Sequence, residues 1–160
     1  MMFQVGDKIF YPMHGAGIVE AIEEKEILGE KKLYYILHFS LTSMQLMVPT
    51  HPNTESSLRG VVDSDTVQKA LTICHGEEAD TSISHRQQKH RINMDKMKSG
   101  DIFEGASVFR DLMILSKDRK LNQADRTMLN HAQQMLVSEL SLVLEVDQYQ
   151  ASSLLESPHK

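Results

Sequence analysis

The chain has 160 residues, an ordinary apolar share of 41%, a net charge of -5, one cysteine and no tryptophan. Such a length suits one domain or two small ones, the lone Cys74 excludes an intrachain disulfide, and no apolar run approaches the roughly 18 residues of a membrane span. With no signal peptide or lipidation motif either, the chain is expected in the cytoplasm with no membrane partner.

From residue 3 to residue 49 the pattern is that of a small antiparallel barrel. Residues 8–12 predict a short strand that Pro12 ends. Gly15 and Gly17 are expected to supply a turn or bulge before a longer strand over about 17–27. Leu28-Gly29-Glu30 reads as a hairpin connection, and 31–40 as the returning strand. There Leu33, Tyr35, Leu37 and Phe39 make an apolar face, while Lys32, Tyr34, Ile36 and His38 make a mixed one. A fourth strand over 45–48 stops at Pro49. Residues 51–57 are polar and aperiodic, and 58–62 close the barrel as a last strand.

From residue 64 the period becomes helical. Asp63 or Ser64 caps a first helix with Val67, Ala70, Leu71 and Cys74 as its apolar stripe and Gly76 as its stop. After an acidic loop over 77–82, a second helix is expected over 84–98, ended by Ser99-Gly100. The third begins near Asp101, carries Ile102, Ala106, Phe109, Leu112, Met113 and Leu115 or Ser116, and frays over Lys117-Asp118-Arg119-Lys120. Asn122 caps a fourth, with Asp125 at the positive end of its dipole and Met128, Leu129, Ala132, Met135, Leu136, Leu140 and Val143 on one side. A short fifth helix spans 148–156. The expected class is α+β: a β module over 1–60, then an all-α domain of about five helices over 61–160.

No catalytic chemistry is visible, and no enzyme is expected. Eight His residues show no metal-ligand spacing: His85 and His90 are five apart, HExxH is absent, and Cys74-His75 has no nearby partner. No metal and no cofactor are therefore expected. Gly15-Ala16-Gly17 is too short for a phosphate cradle, and Glu23, Glu24 and Glu26 read as a solvated strand edge. The charge distribution is more informative. Residues 83–126 carry ten basic and six acidic groups, whereas 61–82 carry one basic and five acidic. Within the basic part, Arg86, Lys89 and His90 stand at i, i+3 and i+4 and are expected on one exposed helix face, with Arg91 and Lys96 nearby. Ile92 or Met94 with Met97 point inward. The plain alternative is a solvated helix face; the functional reading is contact with nucleic-acid phosphates.

Several fragments, in order and spacing, resemble one family: Val5-Gly6-Asp7, Tyr11-Pro12, His14-Gly15, Gly17-Ile18-Val19, Ile22-Glu23, the Gly29 hairpin and Met47-Val48-Pro49. The stretch from Asn93 to Asp101, then Val108-Phe109-Arg110-Asp111-Leu112 and Leu136-Val137-Ser138-Glu139-Leu140, extend the match to about residue 145. The chain resembles the CarD/CdnL family, whose N-terminal module is shared with transcription-repair coupling factor. The resemblance implies a bacterial transcription regulator, associated with the nucleoid through RNA polymerase and expected to be a monomer. Its Tudor- or SH3-like barrel over 1–60 would bind the polymerase β subunit by strand addition, through Glu23, Lys25, Ile27, Gln45 and Met47. Its helical domain would touch promoter DNA near the upstream edge of the bubble through Arg86, Lys89, His90, Arg91 and Lys96, altering open-complex stability. The family typically places Arg at the positions of Lys25 and Met47, and a Trp wedge at that of Arg86. Arg86 can enter a minor groove electrostatically but cannot unstack a base step as a ring does. The alternative is a polymerase adaptor whose helical domain binds another protein and not DNA.

Overall fold

A computed structural model describes residues 3–50, 58–79 and 86–156. The aperiodic stretch 51–57, the end of the acidic loop, the first two residues expected in the second helix and the side chain of Arg86 lie outside the described residues. Strands β1 (Lys8–Tyr11), β2 (Gly15–Ile27), β3 (Glu30–Phe39), β4 (Met44–Pro49) and β5 (Arg59–Gly60) form one antiparallel sheet in the order β4-β3-β2-β1-β5. Helices α1 (Ser64–Cys74), α2 (Arg86–Ser99), α3 (Ile102–Asp118), α4 (Gln123–Leu144) and α5 (Gln148–Leu155) follow. This is the expected Tudor-like module followed by a helical domain.

The period-2 pattern of β3 decides how the sheet folds on itself. Tyr35, Leu37 and Phe39 are buried with Ile9, Val19 and Val48 in a core inside the β module. Phe10 and Ala16 point to the other face and join the helical core, among Val67, Met97, Phe109, Leu136 and Leu140. One sheet therefore serves two cores, one on each side, because successive side chains along β1 leave opposite faces.

Two local expectations are corrected. The turn before β2 is Pro12-Met13-His14, with Met13 at φ +71°, and Gly15 is already paired with Tyr11. The bulge lies at Val19/Ala21 instead. Gly15, at φ +98°, completes that turn as expected, and both Gly15 and Gly17 also answer to close approach. A Cβ on Gly15 would stand 2.7 Å from Ser138 Oγ, and one on Gly17 would stand 2.6 Å from the His38 carbonyl oxygen. The last strand covers only two residues of the expected five, since β1 extends it no further than the pairs Ile9 with Gly60 and Phe10 with Arg59. Asp63 and Asn122 cap their helices as expected, Asp101 and Asp147 do the same for α3 and α5, and each accepts from backbone N–H groups of the first turn. Hydrogen bonds from Thr66 hold the Asp63 carboxyl below its ordinary range, its side chain first and its backbone second. Lys117 and Asp118 remain helical, and the chain turns extended only at Arg119.

The two halves meet through α4, which lies across β1 and the start of β2. Glu139, 1% exposed, accepts both forks of Arg59, at 2.8 and 2.9 Å, and the Val62 N–H at 3.0 Å. Arg59 also donates to the Gly60 and Gly100 carbonyls and lies 4.3 Å over the Phe10 ring. The Ala16 N–H donates to Ser138 Oγ, Lys8 Nζ donates to the Leu142 carbonyl, and His131 Nε2 donates to the Met13 carbonyl. Removing one partner of a buried, charge-assisted pair strands the other. Glu139→Ala should therefore lower the unfolding free energy by about 3–5 kcal/mol in urea titrations. Glu139→Gln should cost clearly less, because its carbonyl oxygen still accepts from Val62. Equal midpoints for Glu139→Ala and the parent would refute the clamp.

Candidate functional site

The sheet register brings the five residues expected at the polymerase onto one face. Met47 lies beside Ile36, Gln45 beside His38, Glu23 beside Tyr34, Lys25 beside Lys32, and Ile27 beside Glu30. Residues 30, 32, 34, 36 and 38 of β3 all project to the face opposite the Tyr35-Leu37-Phe39 core. Farther along this face Phe10 and Ala16 are covered by helices; over β3 and β4 Tyr34 is buried, Ile36 and His38 are half-buried, and Gln45 and Met47 are exposed. Met47 and Ile27 are 44% and 42% exposed, and Ile18 joins them at 38%. Gln45 Nε2 donates to Glu20, and Lys25 pairs with Glu23 at 3.0 Å. The two expected strands do not share an edge, however: β2 and β4 flank β3 on opposite sides. What they share is a face, and β4 is in addition an edge strand. Among the described residues its outer backbone groups pair with no other strand.

The basic residues of α2 are distributed differently from expectation. Lys89 is drawn inward, 2.9 Å from the buried Asp111 of α3, which Arg110 also contacts. His90 Nδ1 lies 3.9 Å from Asp125, in the first turn of α4. Lys96 donates to Ser107 of α3 at 3.3 Å. Asn93 and Met97 are the fully buried positions, with Met94 partly buried, and Ile92 does not join the core. The single exposed face expected for Arg86, Lys89 and His90 is thus split, with Lys89 and His90 turned toward carboxylates on the neighbouring helices α3 and α4. Arg86 opens α2, and Arg91 is exposed, with no ion pair or hydrogen bond to a described residue.

Other cations gather at the same end. The pairs Lys89 with Asp111 and Lys96 with Ser107 set α3 antiparallel to α2, so the end of α3 and the start of α4 adjoin the start of α2. Lys117, Arg119, Lys120 and Arg126 are exposed there. Their signal was the positive balance over 83–126, not the α2 spacing. The basic end stands away from the sheet: Asp125 and Glu139 are fourteen residues apart on α4, or ~21 Å along its axis.

Among the described residues no three His, Cys, Asp or Glu side chains converge as metal ligands, and no helix is long and apolar enough to cross a membrane. Burial pushes the Cys74 thiol up from an ordinary 9.0 to about 12, partly offset by a backbone hydrogen bond and by the Arg110 charge. It is therefore a core side chain and not a thiolate nucleophile.

A sheet with an open edge, locked to a helical bundle with a basic end, defines the class of this protein by its architecture. Comparison with known proteins gives the class a family. Residues 3–62 match the CarD-like/TRCF RID domain, and residues 69–156 match the CarD C-terminal domain. The chain is 43% identical over 152 residues to "Putative transcription factor YdeB" of Bacillus subtilis (strain 168), covering 95% of this chain and 99% of that protein. The chain belongs to the CarD family, a family of transcription-factor type.

Cys74 yields a pH prediction. A thiol whose folded pKa is raised keeps its stabilising share below the ordinary 9.0, and that share is lost as pH rises from there toward 12. Unfolding free energy should thus fall with pH above about 9. A thiol-specific chromogenic reagent should leave the native protein untouched at pH 8 and titrate one thiol in urea; rapid labelling of the native protein would contradict the burial.

Proposed function

We propose that this protein is a non-enzymatic regulator of transcription initiation that bridges RNA polymerase and promoter DNA. In this reading residues 1–60 form the polymerase-interacting unit, and residues 61–160 the DNA-binding one. The β subunit adds a strand to the open edge of β4 while its side chains meet the exposed face bearing Glu23, Lys25, Ile27, Gln45 and Met47. The observation that carries this half is the shared face: register alone puts all five residues on one face of the sheet, beyond the part of it that α4 covers. Lys25 offers a point charge, not a bidentate fork, and Met47 an adaptable apolar contact.

The DNA half rests on the basic end of the bundle. Arg86 and Arg91 on α2, with Lys117, Arg119, Lys120 and Arg126, supply sequence-independent affinity for phosphates. Lys89, His90 and Lys96 act mainly by holding α2 against α3 and α4, and the two lysines add to the local potential. DNA bound upstream of the bubble while β holds the sheet would tether the melted state and alter its lifetime. One observation favours the adaptor reading, in which the helical domain binds a protein instead: three of the five expected DNA contacts are engaged inside the bundle.

Two measurements separate these readings. Met47→Asp should weaken retention on immobilised β subunit at least tenfold, a loss of about 1.4 kcal/mol, while leaving duplex binding as in the parent. Arg86→Gln with Arg91→Gln should lower the slope of log affinity against log salt by about 0.9 per cation lost. An unchanged slope, or no duplex binding at low salt, would leave the adaptor reading standing.

A further inference from the structure

Helices α2 and α4 leave a cleft of about 280 Å³ between them near the basic end. Its walls are Met94 and Met97 of α2, Met128 of α4 and Met13 of the β1–β2 turn, with the rings of His90 and His131 beside them. Met97, 1% exposed, is the floor. The His131 ring is oriented by its hydrogen bond to the Met13 carbonyl, 2.7 Å long. Thioethers are polarisable, conform to flat partners and make favourable contacts with aromatic rings. The cleft lies just below the roughly 300–1,000 Å³ of pockets for drug-sized ligands, which suits one planar ring system.

Two cations of α2 stand beside the cleft, outside its walls. Arg91 precedes Met94 by three residues and Lys98 follows it by four, so both flank Met94 on the surface of α2. Both are exposed, and neither makes an ion pair or hydrogen bond with a described residue. They are ~10 Å apart along the helix. An apolar interior behind two such cations rejects a charged group inside while holding a polyanion outside. An aromatic ring carried on a chain of phosphates satisfies both conditions. An acidic peptide with one aromatic residue fits less well, because the further cations at this end continue the track beyond a single anchor.

We propose that this cleft takes one unpaired base of a DNA strand whose phosphates lie along Arg91 and Lys98. The proposal rests on the DNA half of the function given above and adds the form of DNA: a single strand, as at a bubble edge. The base stacks on the methionines and the two His rings, as bases on single-strand platforms do, with no Trp wedge required.

The test compares three labelled DNAs on the full chain by fluorescence polarisation: a short single strand, the same strand with abasic sites and equal phosphates, and a duplex. The natural strand should bind roughly tenfold or more tighter than the abasic one. Thr127→Trp, which fills the cleft from its exposed lip, should erase that difference while leaving duplex affinity unchanged. Equal binding of natural and abasic strands, full preference retained in Thr127→Trp, or displacement by an aromatic acidic peptide as effective as DNA would each overturn the base pocket. Absence of duplex binding at low salt would overturn the DNA reading itself, a separate and prior failure.

Discussion

A carboxylate buried as deeply as that of Glu139 is costly unless partners hold it. Glu139 is 1% exposed, and its carboxylate is fully engaged by the Arg59 fork and the Val62 N–H. Arg59 comes from the last strand, Val62 from the link to α1, and Glu139 from the middle of α4, so one charge fixes three segments at once. The same guanidinium holds Gly100, the hinge between α2 and α3, and lies over Phe10. Desolvating such a pair is costly, and well-packed apolar residues could give equal or greater stability. What the ion pair supplies is direction: a guanidinium and a carboxylate meet in one plane and one register. The orientation of sheet against bundle follows from that geometry.

With the orientation set, α4 acts as the shaft between two surfaces. Its C-terminal half covers β1 and the start of β2, which is why Phe10 and Ala16 belong to the helical core while Met47 and Ile36 on the same face do not. Its N-terminal end carries Asp125 toward His90 and the exposed cations. Lys8 meets the last-turn carbonyl of Leu142, where a cation also favours the helix dipole. Few contacts are spent twice: the part of that face under α4 is not the part left for a partner, and the carboxylates that anchor α2 are not the one that clamps the sheet.

Much of this was legible in the residues. Alternation in β3, the caps at Asp63, Asp101 and Asn122, and the apolar stripes of α1, α3 and α4 are short-range signals that a single chain displays. The shared face of Glu23, Lys25, Ile27, Gln45 and Met47 came from resemblance and acquired its geometry only from register, which depends on a bulge that spacing does not reveal. The fate of Lys89 and His90 was hidden for a different reason. Helical spacing places both on one side of α2, but Asp111 and Asp125, more than twenty residues away, decide which way they turn. Glu139 looked like an ordinary polar member of α4; its partner Arg59 is 80 residues distant. Gly15 and Gly17 read as turn formers; Gly15 is one, at φ +98°, but the helix beside it and the strand beside Gly17 exclude a side chain as well, which spacing does not show.

The account stands on bridging: one molecule must hold polymerase with its sheet and DNA with its bundle at the same time. Immobilised β subunit, the full chain and a labelled promoter duplex at low salt test this directly. The account predicts that the parent chain retains duplex on the β beads, and that an equimolar mixture of Met47→Asp and Arg86→Gln/Arg91→Gln molecules retains much less, since no single molecule carries both surfaces intact. Retention by the mixture equal to that by the parent, or no retention by the parent itself, would contradict it.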